Sequence, residues 1–376
     1  MIKSFVVAWL LSVVTAGYGS ESSAPPLRVG IIGLVHGHVA GFLTGGALTP
    51  AGGALNRQDV QVVGVVEPDK ALYDSYAARF HWSSSMHFGS IAELATRGHA
   101  QAALIFTSTA SHTQAVEECA RAGLHVMMEK PMAVSYDDAL VMAEAARRRK
   151  IHVLVDYETT WYASNAAAHD LLAQGALGPM VKAVFRDGHS GPKQIHVQPE
   201  FFAWLTDPKL NGAGALYDFG CYGADLMTWL KDGETPISVT AVTKQLQPDV
   251  YPRVDDEADV MLSYRDSLAI LEGSWNWPFN VKEATVYGKT GSVIAINSTR
   301  IEVRRAGERE GHITEGTHLQ APYDDPLHYL AAVIRGEVQE GNSLSSVKVN
   351  LTVSEILDAA RRSARSGATV KLPLER

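Results

Sequence analysis

The first part of the chain alternates short apolar runs with longer segments whose apolar residues recur at helical spacing. The apolar runs lie within residues 27–156 and read LRVGII, VQVVGVV, AALIF, LHVMM and IHVLV. They are short and rich in Val, Ile and Leu, as strands buried on both faces are. One intervening segment, 137–149, opens with acidic residues and closes with basic ones, which suits the helix dipole. The pattern predicts an α/β fold with a doubly wound parallel sheet.

Beyond residue 156 the pattern changes. Helical segments are predicted at 163–174 and 214–230, followed by stretches such as ISVTAVTKQLQ, DEADVMLSYR and LAILEGSWNW. Their period of two and turn-rich breaks indicate a large, mainly antiparallel open sheet. Two more helices are predicted at 325–335 and 345–366. Because 376 residues suffice for two cores, we expect one domain at 27–156 and a second α/β domain at 157–376.

The first twenty residues, MIKSFVVAWLLSVVTAGYGS, predict a secretory signal peptide at 1–20. Lys3 precedes an apolar run at 5–14, and small residues near Ala16 suit cleavage. A retained membrane anchor is the alternative, but the run is well short of the roughly 20 residues that span a bilayer. We therefore expect an exported, periplasmic protein with no membrane contact after cleavage.

The charge and the cysteine content of the chain limit the kinds of partner and site that we expect. With 33 basic and 41 acidic residues the formal charge is −8, and no long basic run is present, so a nucleic acid is not an expected partner. Cys119 and Cys221 stand outside any C-x-x-C setting, which argues against a disulfide framework or a cysteine metal site. A small soluble partner fits this composition better.

The first apolar run leads into GIIGLVHGHVAGF, residues 30–42, which partly matches a dinucleotide-binding turn. The motif G-x-G-x-x-G places one glycine at the tight turn, one at the pyrophosphate and one where helix packs on strand. Gly33 fits the first position, whereas Val35 and His38 occupy the second and third. Gly37 can take over part of the pyrophosphate contact.

The H-x-H pair of His36 and His38 has three interpretations: metal ligands, a role beside a cofactor, or ordinary turn and packing roles. A protein metal site of this kind needs three or four ligands. No third or fourth ligand stands nearby in the sequence. We therefore predict no metal.

Glu67, at the end of the second apolar run, is independent support for nucleotide binding. A carboxylate there can accept both ribose hydroxyls and would repel a 2′-phosphate, which favours NAD over NADP. The spacing from the glycine turn exceeds the roughly 20 residues that are usual. We assign the excess to an inserted loop at 45–60.

Two segments carry candidate chemistry. MMEKP ends the fourth apolar run, where Lys130, preceded by Glu129, would present a cation to the nicotinamide end; a surface lysine in a turn is the alternative. Asp218 and Tyr222 lie four apart on one predicted helix face, with Asp225 three further along. Together they can orient a secondary alcohol and take its proton, with Lys130 expected to lower the pKa of the phenol. Otherwise Asp218 is a helix cap and Tyr222 an interface aromatic.

In combination, these motifs resemble the Gfo/Idh/MocA family, named after glucose-fructose oxidoreductase, inositol dehydrogenase and rhizopine catabolism. The glycine turn, the acid at Glu67, the TSTASH stretch, the AGLHVMMEKP run and the GALYDFGCY helix carry the likeness, which extends from Leu27 to the end of the chain. It implies a Rossmann domain, NAD(P) in the cleft, and an open second sheet that serves in homo-oligomer contacts. It also implies catalytic roles for Lys130, Asp218 and Tyr222, with a sugar-type substrate favoured over inositol.

The remaining site predictions follow from these motifs. The expected cofactor-binding residues are Gly33, Val35, His36, Gly37, His38, Glu67, Thr107, Ser108, His112, Glu129 and Lys130. The expected contacts to a small carbohydrate or polyol substrate are Tyr157, Trp161, His189 and Lys193, whose rings and polar groups suit sugar hydroxyls. For Trp161, a core position at a domain interface is an equal alternative.

Three functions remain open from the sequence. The first is NAD-dependent oxidation of a secondary hydroxyl on a sugar, cyclitol or glycoside. The second is redox-neutral glycoside cleavage by oxidation, elimination and re-reduction, which an exported protein with little free NAD would favour. The third is a non-catalytic NAD-binding protein, suggested by the altered glycine turn.

Overall fold

The computed structural model describes residues 24–375, so the predicted signal peptide lies outside the described part. Within that part, no helix has both the length and the apolar character needed to cross a membrane. The strands are β1 (Leu27–Ile32), β2 (Val60–Val66), β3 (Ala102–Ile105), β4 (His125–Glu129), β5 (Val153–Asp156), β6 (Met180–Gly188), β7 (Ser238–Lys244), β8 (Glu257–Ser263), β9 (Leu268–Ser274), β10 (Val281–Gly288), β11 (Gly291–Ala295), β12 (Arg300–Arg305), β13 (His312–Glu315) and β14 (Val370–Lys371). The α-helices are α1 (Val39–Thr44), α2 (Lys70–Phe80), α3 (Ile91–Thr96), α4 (His112–Ala122), α5 (Tyr136–Arg149), α6 (Ala163–Ala173), α7 (Pro199–Leu205), α8 (Pro208–Asn211), α9 (Ala215–Asp218), α10 (Gly220–Leu230), α11 (Pro326–Ile334) and α12 (Val347–Ser366).

The five predicted apolar runs form a parallel sheet in the order β2-β1-β3-β4-β5, which confirms the doubly wound prediction. Helix α5 begins after the N-cap Ser135, carries acids in its first turn and arginines in its last, as expected from the sequence. The strand order reverses between β1 and β3. In open α/β sheets, a ligand binds beyond the carboxyl ends of the strands at such a reversal.

The second sheet has nine strands in the order β13-β12-β11-β10-β6-β9-β8-β7-β14. Only β6 and β9 pair in parallel, so the predicted mainly antiparallel sheet is confirmed. Helices α10 and α12 cover one face. The strands alternate buried and exposed residues, as in β8, where Val260 is buried and Met261 is exposed. The uncovered face is therefore partly apolar.

The predicted helix at 214–230 is interrupted. Helix α9 ends at Asp218 and α10 begins at Gly220, with Phe219 between them at φ −112° and ψ −35°. The prediction of one continuous helix face for Asp218 and Tyr222 was therefore wrong. The break leaves the carbonyl oxygen of Asp218 available to a partner outside the helix.

The C-terminal helices return to the first sheet. Leu327 and Leu330 of α11 share a core with Val29 and Ile31 of β1. The predicted insertion at 45–60 is a loop up to the start of β2 at Val60, and its Arg57 forms a buried ion pair with Asp325 at the start of α11. Helix α11, near the end of the chain, therefore packs against the amino-terminal sheet and holds the inserted loop through an ion pair.

Candidate active site

The turn after β1 requires glycine at its first position. Gly33 has φ +79°, in the left-handed region that side chains disfavour. Its N–H donates to the carbonyl of Val66, 2.9 Å away. A Cβ added there would lie 2.7 Å from Cγ2 of Thr107. Space and conformation together reserve this position for glycine, in agreement with the sequence prediction.

A cavity of about 560 Å³ opens beside this turn and is lined by Gly33, Glu67, His87 and Thr107, among others. The carboxylate of Glu67 accepts N–H groups of Leu34 at 2.7 Å and Asp69 at 2.8 Å. Burial raises the pKa of Glu67, although these two N–H donors act in the opposite direction. The cavity has the position and the acid expected for the adenosine end of a dinucleotide.

His87 completes this cavity, and sequence analysis did not identify it. Its ring stacks on Tyr73 with centroids 4.0 Å apart, and Nε2 donates to the carbonyl of Glu67 at 2.9 Å. It stands in a short segment between α2 and α3 without a motif around it. Only the folded backbone brings it to Glu67.

The rest of the turn faces the second half of the chain. The indole of Trp204 donates to the carbonyl of Val35 at 3.1 Å. A Cβ at Gly37 would lie 2.7 Å from the ring of Phe201, so the atoms that pack closely on this glycine belong to α7. His36 is buried with its ring centroid 4.7 Å from that of Phe201. Helix α7 therefore packs directly on the residues that depart from the dinucleotide motif.

His36, His38 and Glu129 form a cluster whose ligating atoms lie within 4.8 Å of one another. Nδ1 of His38 is 3.1 Å from Oε1 of Glu129, and Nε2 of His36 is 3.9 Å from Oε2. Burial alone would raise the pKa of Glu129, but the two histidines and Lys130 hold it at about 2. The fold thus supplies a third potential ligand that sequence proximity did not show.

The tautomer of His36 argues against a metal in this cluster. Burial holds its pKa well below the usual value, so the ring is neutral. Its Nδ1 accepts the N–H of His38 at 3.2 Å. The proton of a neutral ring then resides on Nε2, which presents a donor rather than a lone pair to Glu129. The cluster is better described as a carboxylate held between two imidazole rings.

The TSTASH residues lie at different depths. Thr107 lines the adenosine-side cavity, and its hydroxyl donates to the carbonyl of Ser108. Ser108 is buried against Ser111. His112 is fully enclosed; its Nδ1 donates to Met132, and burial lowers its pKa to about 4. Among these predicted cofactor contacts, His112 therefore supports the β4–α5 loop from inside and does not line the described cavities.

Lys130 and Asp218 form the buried ion pair at the centre of the site. The Lys130 ammonium donates to Oδ1 of Asp218 at 2.7 Å and to its carbonyl oxygen at 3.0 Å. Oδ2 accepts the indole N–H of Trp275 at 2.9 Å. Burial opposes both charges, but their attraction prevails: it raises the pKa of Lys130 and holds that of Asp218 at about 2. Both groups are charged at neutral pH.

Tyr222 is buried beside this pair. The ammonium of Lys130 lies 4.9 Å from the ring centroid and that of Lys282 lies 4.7 Å from it. Both cations thus face the π system rather than the hydroxyl. Burial and the negative charge of Glu158 raise the pKa of Tyr222 well above its usual value. The prediction that Lys130 lowers this pKa was wrong, because Asp218 neutralises the ammonium and the phenol is enclosed.

These groups line one cavity of about 350 Å³ between the two sheets, together with His38, His189 and others. Glu158 and Lys282 are ion-paired within it, and sequence analysis identified neither as a site residue. Glu158 stands in the DYETTWY stretch that was singled out, one position beyond Tyr157. Lys282 sits on β10 in an ordinary alternating run, which carried no signal.

The predicted substrate contacts separate in space. His189 lines the cavity. Tyr157 is fully buried and donates to Asn350, so it lies behind the cavity, a correction to its predicted role. Trp161 donates to Asp156 in the core, as its structural alternative proposed. Lys193 is exposed over the ring of Phe202 and does not line the cavity, a further correction.

Two further carboxyl groups are buried near the site. Asp225, predicted to share the face of Asp218 and Tyr222, is enclosed in α10, and burial raises its pKa. Among residues 24–375, neither of its carboxylate oxygens has a hydrogen-bond partner. It therefore takes no part in the cavity. Asp187 on β6 lies opposite Lys282 in the register with β10, and burial raises its pKa to about 8 despite the nearby lysines.

Known proteins share both halves of this architecture. The NAD-binding Rossmann fold model of the GFO/IDH/MocA oxidoreductase family matches residues 27–157, and the family's C-terminal domain model matches residues 165–294. Trans-1,2-dihydrobenzene-1,2-diol dehydrogenase of Macaca fuscata fuscata is 26% identical over 333 residues, 86% of this chain and 93% of that protein.

Solved structures show the same fold at lower identity. Aldose-aldose oxidoreductase from Caulobacter crescentus, complexed with glycerol, has a TM-score of 0.76 at 22% identity and covers 92% of this chain and 100% of its own. An inositol dehydrogenase homolog from Azotobacter vinelandii, complexed with NAD+, has a TM-score of 0.76 at 17% identity over 94% and 99% of the two chains. With two family models that together span more than half of its length, this chain belongs to the Gfo/Idh/MocA family of NAD-binding oxidoreductases.

Proposed function

We propose that the protein oxidises a secondary hydroxyl of a sugar, cyclitol or glycoside, with NAD as the hydride acceptor. The observation that carries the proposal is the buried Lys130–Asp218 pair beside Tyr222, at the carboxyl end of β4 and at the α9–α10 break. A charged donor and a phenol at one polar cavity suit the oxygen of an alcohol on its way to a carbonyl.

The residues around the glycine turn fit NAD. Gly33, with its positive φ, forms the tight turn after β1 beside the adjoining cavity, and Glu67 offers a carboxylate for ribose hydroxyls there. A 2′-phosphate would be repelled by that carboxylate, which supports NAD over NADP. When bound, NAD supplies the hydride acceptor, and everything else in the reaction falls to side chains of the cavity.

The cavity residues divide the remaining work. The Lys130 ammonium is held by Asp218 with one oxygen of that carboxylate fixed by Trp275, so its position is set before substrate arrives. Tyr222 is protonated at neutral pH, so its hydroxyl can donate a hydrogen bond to the substrate oxygen. His189, Glu158 and Lys282 line the same cavity and offer polar contacts for neighbouring hydroxyl groups.

The names of relatives support this substrate class. The matched curated proteins include dehydrogenases of a dihydrobenzene diol and a 1,5-anhydro-D-fructose reductase from Ensifer adhaerens, 24% identical over 192 residues. Both names describe compounds with vicinal oxygen substituents on a six-membered framework. We propose the same arrangement for the substrate of this chain.

The test is a screen for reduced cofactor. Purified protein is mixed with NAD+ and a panel of sugars, cyclitols and glycosides, and absorbance of NADH is followed by stopped flow. We expect a signal with at least one member of the panel, larger with NAD+ than with NADP+. Absence of any signal, in protein shown by calorimetry to bind NAD+, would contradict the proposal.

A second candidate is redox-neutral cleavage of a glycoside through transient oxidation and elimination. The leader-like sequence at residues 1–20 favours it, because a tightly retained cofactor that is regenerated in each cycle needs no external supply of NAD. A nitrophenyl glycoside separates the two candidates. Aglycone release without NADH accumulation supports cleavage, whereas stoichiometric NADH supports net oxidation.

We also propose that the protein is exported. The supporting observation is the n-region, apolar run and small-residue pattern within residues 1–20. Expression of the full chain in a Gram-negative host, followed by fractionation and intact-mass measurement, tests this. A periplasmic product shortened by about 20 residues, the length of such a leader, is expected; a full-length product in the membrane fraction would instead support the anchor.

A further inference from the structure

The three central groups of the cavity, Lys130, Asp218 and Tyr222, are already protonated or hydrogen-bonded. The ammonium of Lys130 is protonated, and both oxygens of Asp218 already accept hydrogen bonds. Burial keeps the phenol of Tyr222 protonated at neutral pH. Oxidation of an alcohol releases a proton as well as a hydride, so the proposed reaction needs a base in the cavity.

Two histidines line that cavity, and their hydrogen bonds assign them opposite tautomers. Nδ1 of His189 accepts the N–H of Gly191 at 2.9 Å, so a neutral ring has its proton on Nε2 and can only donate there. Nδ1 of His38 faces Oε1 of Glu129 at 3.1 Å. Because an ionised carboxylate only accepts, Nδ1 of His38 carries the proton and Nε2 retains its lone pair.

The surroundings hold this arrangement in place. Glu129 ends β4, is 3% exposed, and has the ring of His36 on its other side. His38 is 29% exposed, and within residues 24–375 its Nε2 makes no hydrogen bond. A buried carboxylate behind one ring nitrogen and an open lone pair on the other is the arrangement that orients an imidazole and stabilises its protonated form.

We propose that His38, oriented by Glu129, is the general base of the cavity. This inference rests on the proposed function. In the reaction the substrate O–H and C–H bonds break and the second carbon–oxygen bond forms. Bound NAD+ would supply the acceptor for the hydride, and the proton passes to Nε2 of His38. The resulting imidazolium lies against the carboxylate of Glu129, and Tyr222 donates to the new carbonyl oxygen.

Charged groups from several elements surround the ring of His38. Those groups come from the glycine turn, β4, the segment after β5, β6, the α9–α10 break and β10. They are His36, Glu129, Lys130, Glu158, His189, Asp218 and Lys282. Glu129 is in direct contact with the ring, with its Oε1 3.1 Å from Nδ1 of His38.

The kinetic test uses His38→Gln, Glu129→Gln and the control His152→Gln. His152 also contacts a glutamate, Glu340, but it stands before the first residue of β5, at the far end of the sheet from the cavity. We expect His38→Gln to lower kcat by roughly 10²- to 10⁴-fold and to remove the fall of kcat/KM on the acidic side. Glu129→Gln should displace that fall, and His152→Gln should leave the profile unchanged.

Chemical rescue adds an independent readout. His38→Ala removes the imidazole ring from the cavity wall and leaves a space in its place. Because the His38 side chain is partly open to solvent, imidazole from solution should enter that space. We expect added imidazole to restore part of the turnover of His38→Ala and to leave Tyr222→Phe unaffected. The assignment would be overturned if imidazole rescued neither variant and His38→Gln kept the acidic-side fall of kcat/KM that wild type shows. His38 would then be a cofactor contact.

A measurement without cofactor or substrate separates this inference from the proposed function. Long-range proton–nitrogen correlation spectra of ¹⁵N-histidine protein report the tautomer of His38, identified by its loss in His38→Gln. We expect the Nδ1–H form in wild type and a changed signal in Glu129→Gln. An Nε2–H form would overturn the inference even in an active enzyme. Failure of wild type to form NADH with any polyol would instead overturn the proposed function.

Discussion

At the scale of single residues, the partner of each side chain decides its chemistry. Lys130 would be a candidate base or a means of activating a phenol if it stood free. Its pairing with Asp218 makes it a permanent cation, and its position over the ring of Tyr222 directs that charge at the π system. In the reaction that we propose, the three groups would act as donors and orienting charges, and another residue would accept the proton.

The first prediction concerns this central pair. Tyr222→Phe removes only the hydroxyl and keeps the ring beneath the two lysines, so folding and NAD affinity should persist. Turnover should fall by roughly 10²- to 10⁴-fold because a positioned proton donor is lost. Lys130→Met should cause a comparable loss, and the double variant should cost much less than the product of the two. Steady-state kinetics on a verified substrate measure all three.

Lys130→Met carries a structural cost that needs its own control. It leaves the carboxylate of Asp218 buried with Trp275 as its remaining side-chain partner, and uncompensated buried charges destabilise by about 3–5 kcal/mol. Thermal denaturation of Lys130→Met beside Lys130→Met/Asp218→Asn separates this effect from catalysis. Near wild-type turnover in Tyr222→Phe, with chemistry rate-limiting, would contradict its assignment.

The second prediction concerns pH and Asp187. Its pKa is about 8 in the folded protein against an ordinary value of 3.8. Between these values the folded state holds one proton more than the unfolded state, so the unfolding free energy falls as pH rises. Asp187→Asn removes this dependence. We expect the variant to gain melting temperature over wild type progressively from about pH 4 to pH 8, as measured by calorimetry.

A control for Asp187→Asn is Asp259→Asn, on the same sheet but with an exposed side chain. Its melting temperature should follow wild type far more closely across this range. A constant difference between Asp187→Asn and wild type at all pH values would show that Asp187 is ionised in the folded protein.

At the scale of elements, the two departures from regular structure build the site. The break at Phe219 ends α9 so that the carbonyl of Asp218 can accept from Lys130. Helix α7 packs its aromatic residues on the altered glycine turn, which holds His36 and leaves His38 at the cavity wall. The substitutions that weaken the dinucleotide motif are thus accommodated by an element from the second half of the chain.

The third prediction tests the turn after β1. Gly33→Ala should destabilise by about 1–3 kcal/mol from backbone strain, with a further loss from the contact with Thr107. Gly123→Ala is the control, because Gly123 has a similar φ of +75° and a Cβ added there would meet nothing within 4 Å. Urea unfolding of both variants isolates the steric part. Equal losses would show that Thr107 yields without cost.

At the scale of the whole molecule, the second sheet presents an uncovered face. Its exposed apolar residues come from several strands and are Val181, Val242, Met261, Leu268, Tyr287 and Ile313. Large apolar surface on one face of a soluble protein marks an interaction site. We propose that this face joins copies of the chain, as the family resemblance implies.

The fourth prediction follows from that surface. Met261→Glu places a carboxylate on the face, on β8, which has neighbouring strands on both sides. It should shift the protein to a smaller species in light scattering coupled to size exclusion. Val141→Glu is the control, since Val141 is similarly exposed but lies on α5. A wild-type monomer at micromolar concentration would contradict the proposal.

Much of the fold follows from the sequence alone. Residue spacing determined the two kinds of sheet, because buried parallel strands need unbroken apolar runs and half-buried antiparallel strands need alternation. Local chemistry determined Gly33, since a φ of +79° favours glycine, and the acid Glu67 directly after β2. The motif around Lys130 also pointed to the edge of the sheet at which the cavity lies. Each of these properties depends on neighbours along the chain.

The tertiary structure alone decided how the site works. Glu158, Lys282 and His87 carry no local motif and reach the cavities through strand pairing and packing. Tyr157 was predicted to contact the substrate, but packing encloses it completely. The protonation of Tyr222 depends on its burial. The tautomer of His38 depends on Glu129, a hydrogen-bond partner about ninety residues away in the sequence. Desolvation and hydrogen bonding are set by distances in space, which sequence spacing does not contain.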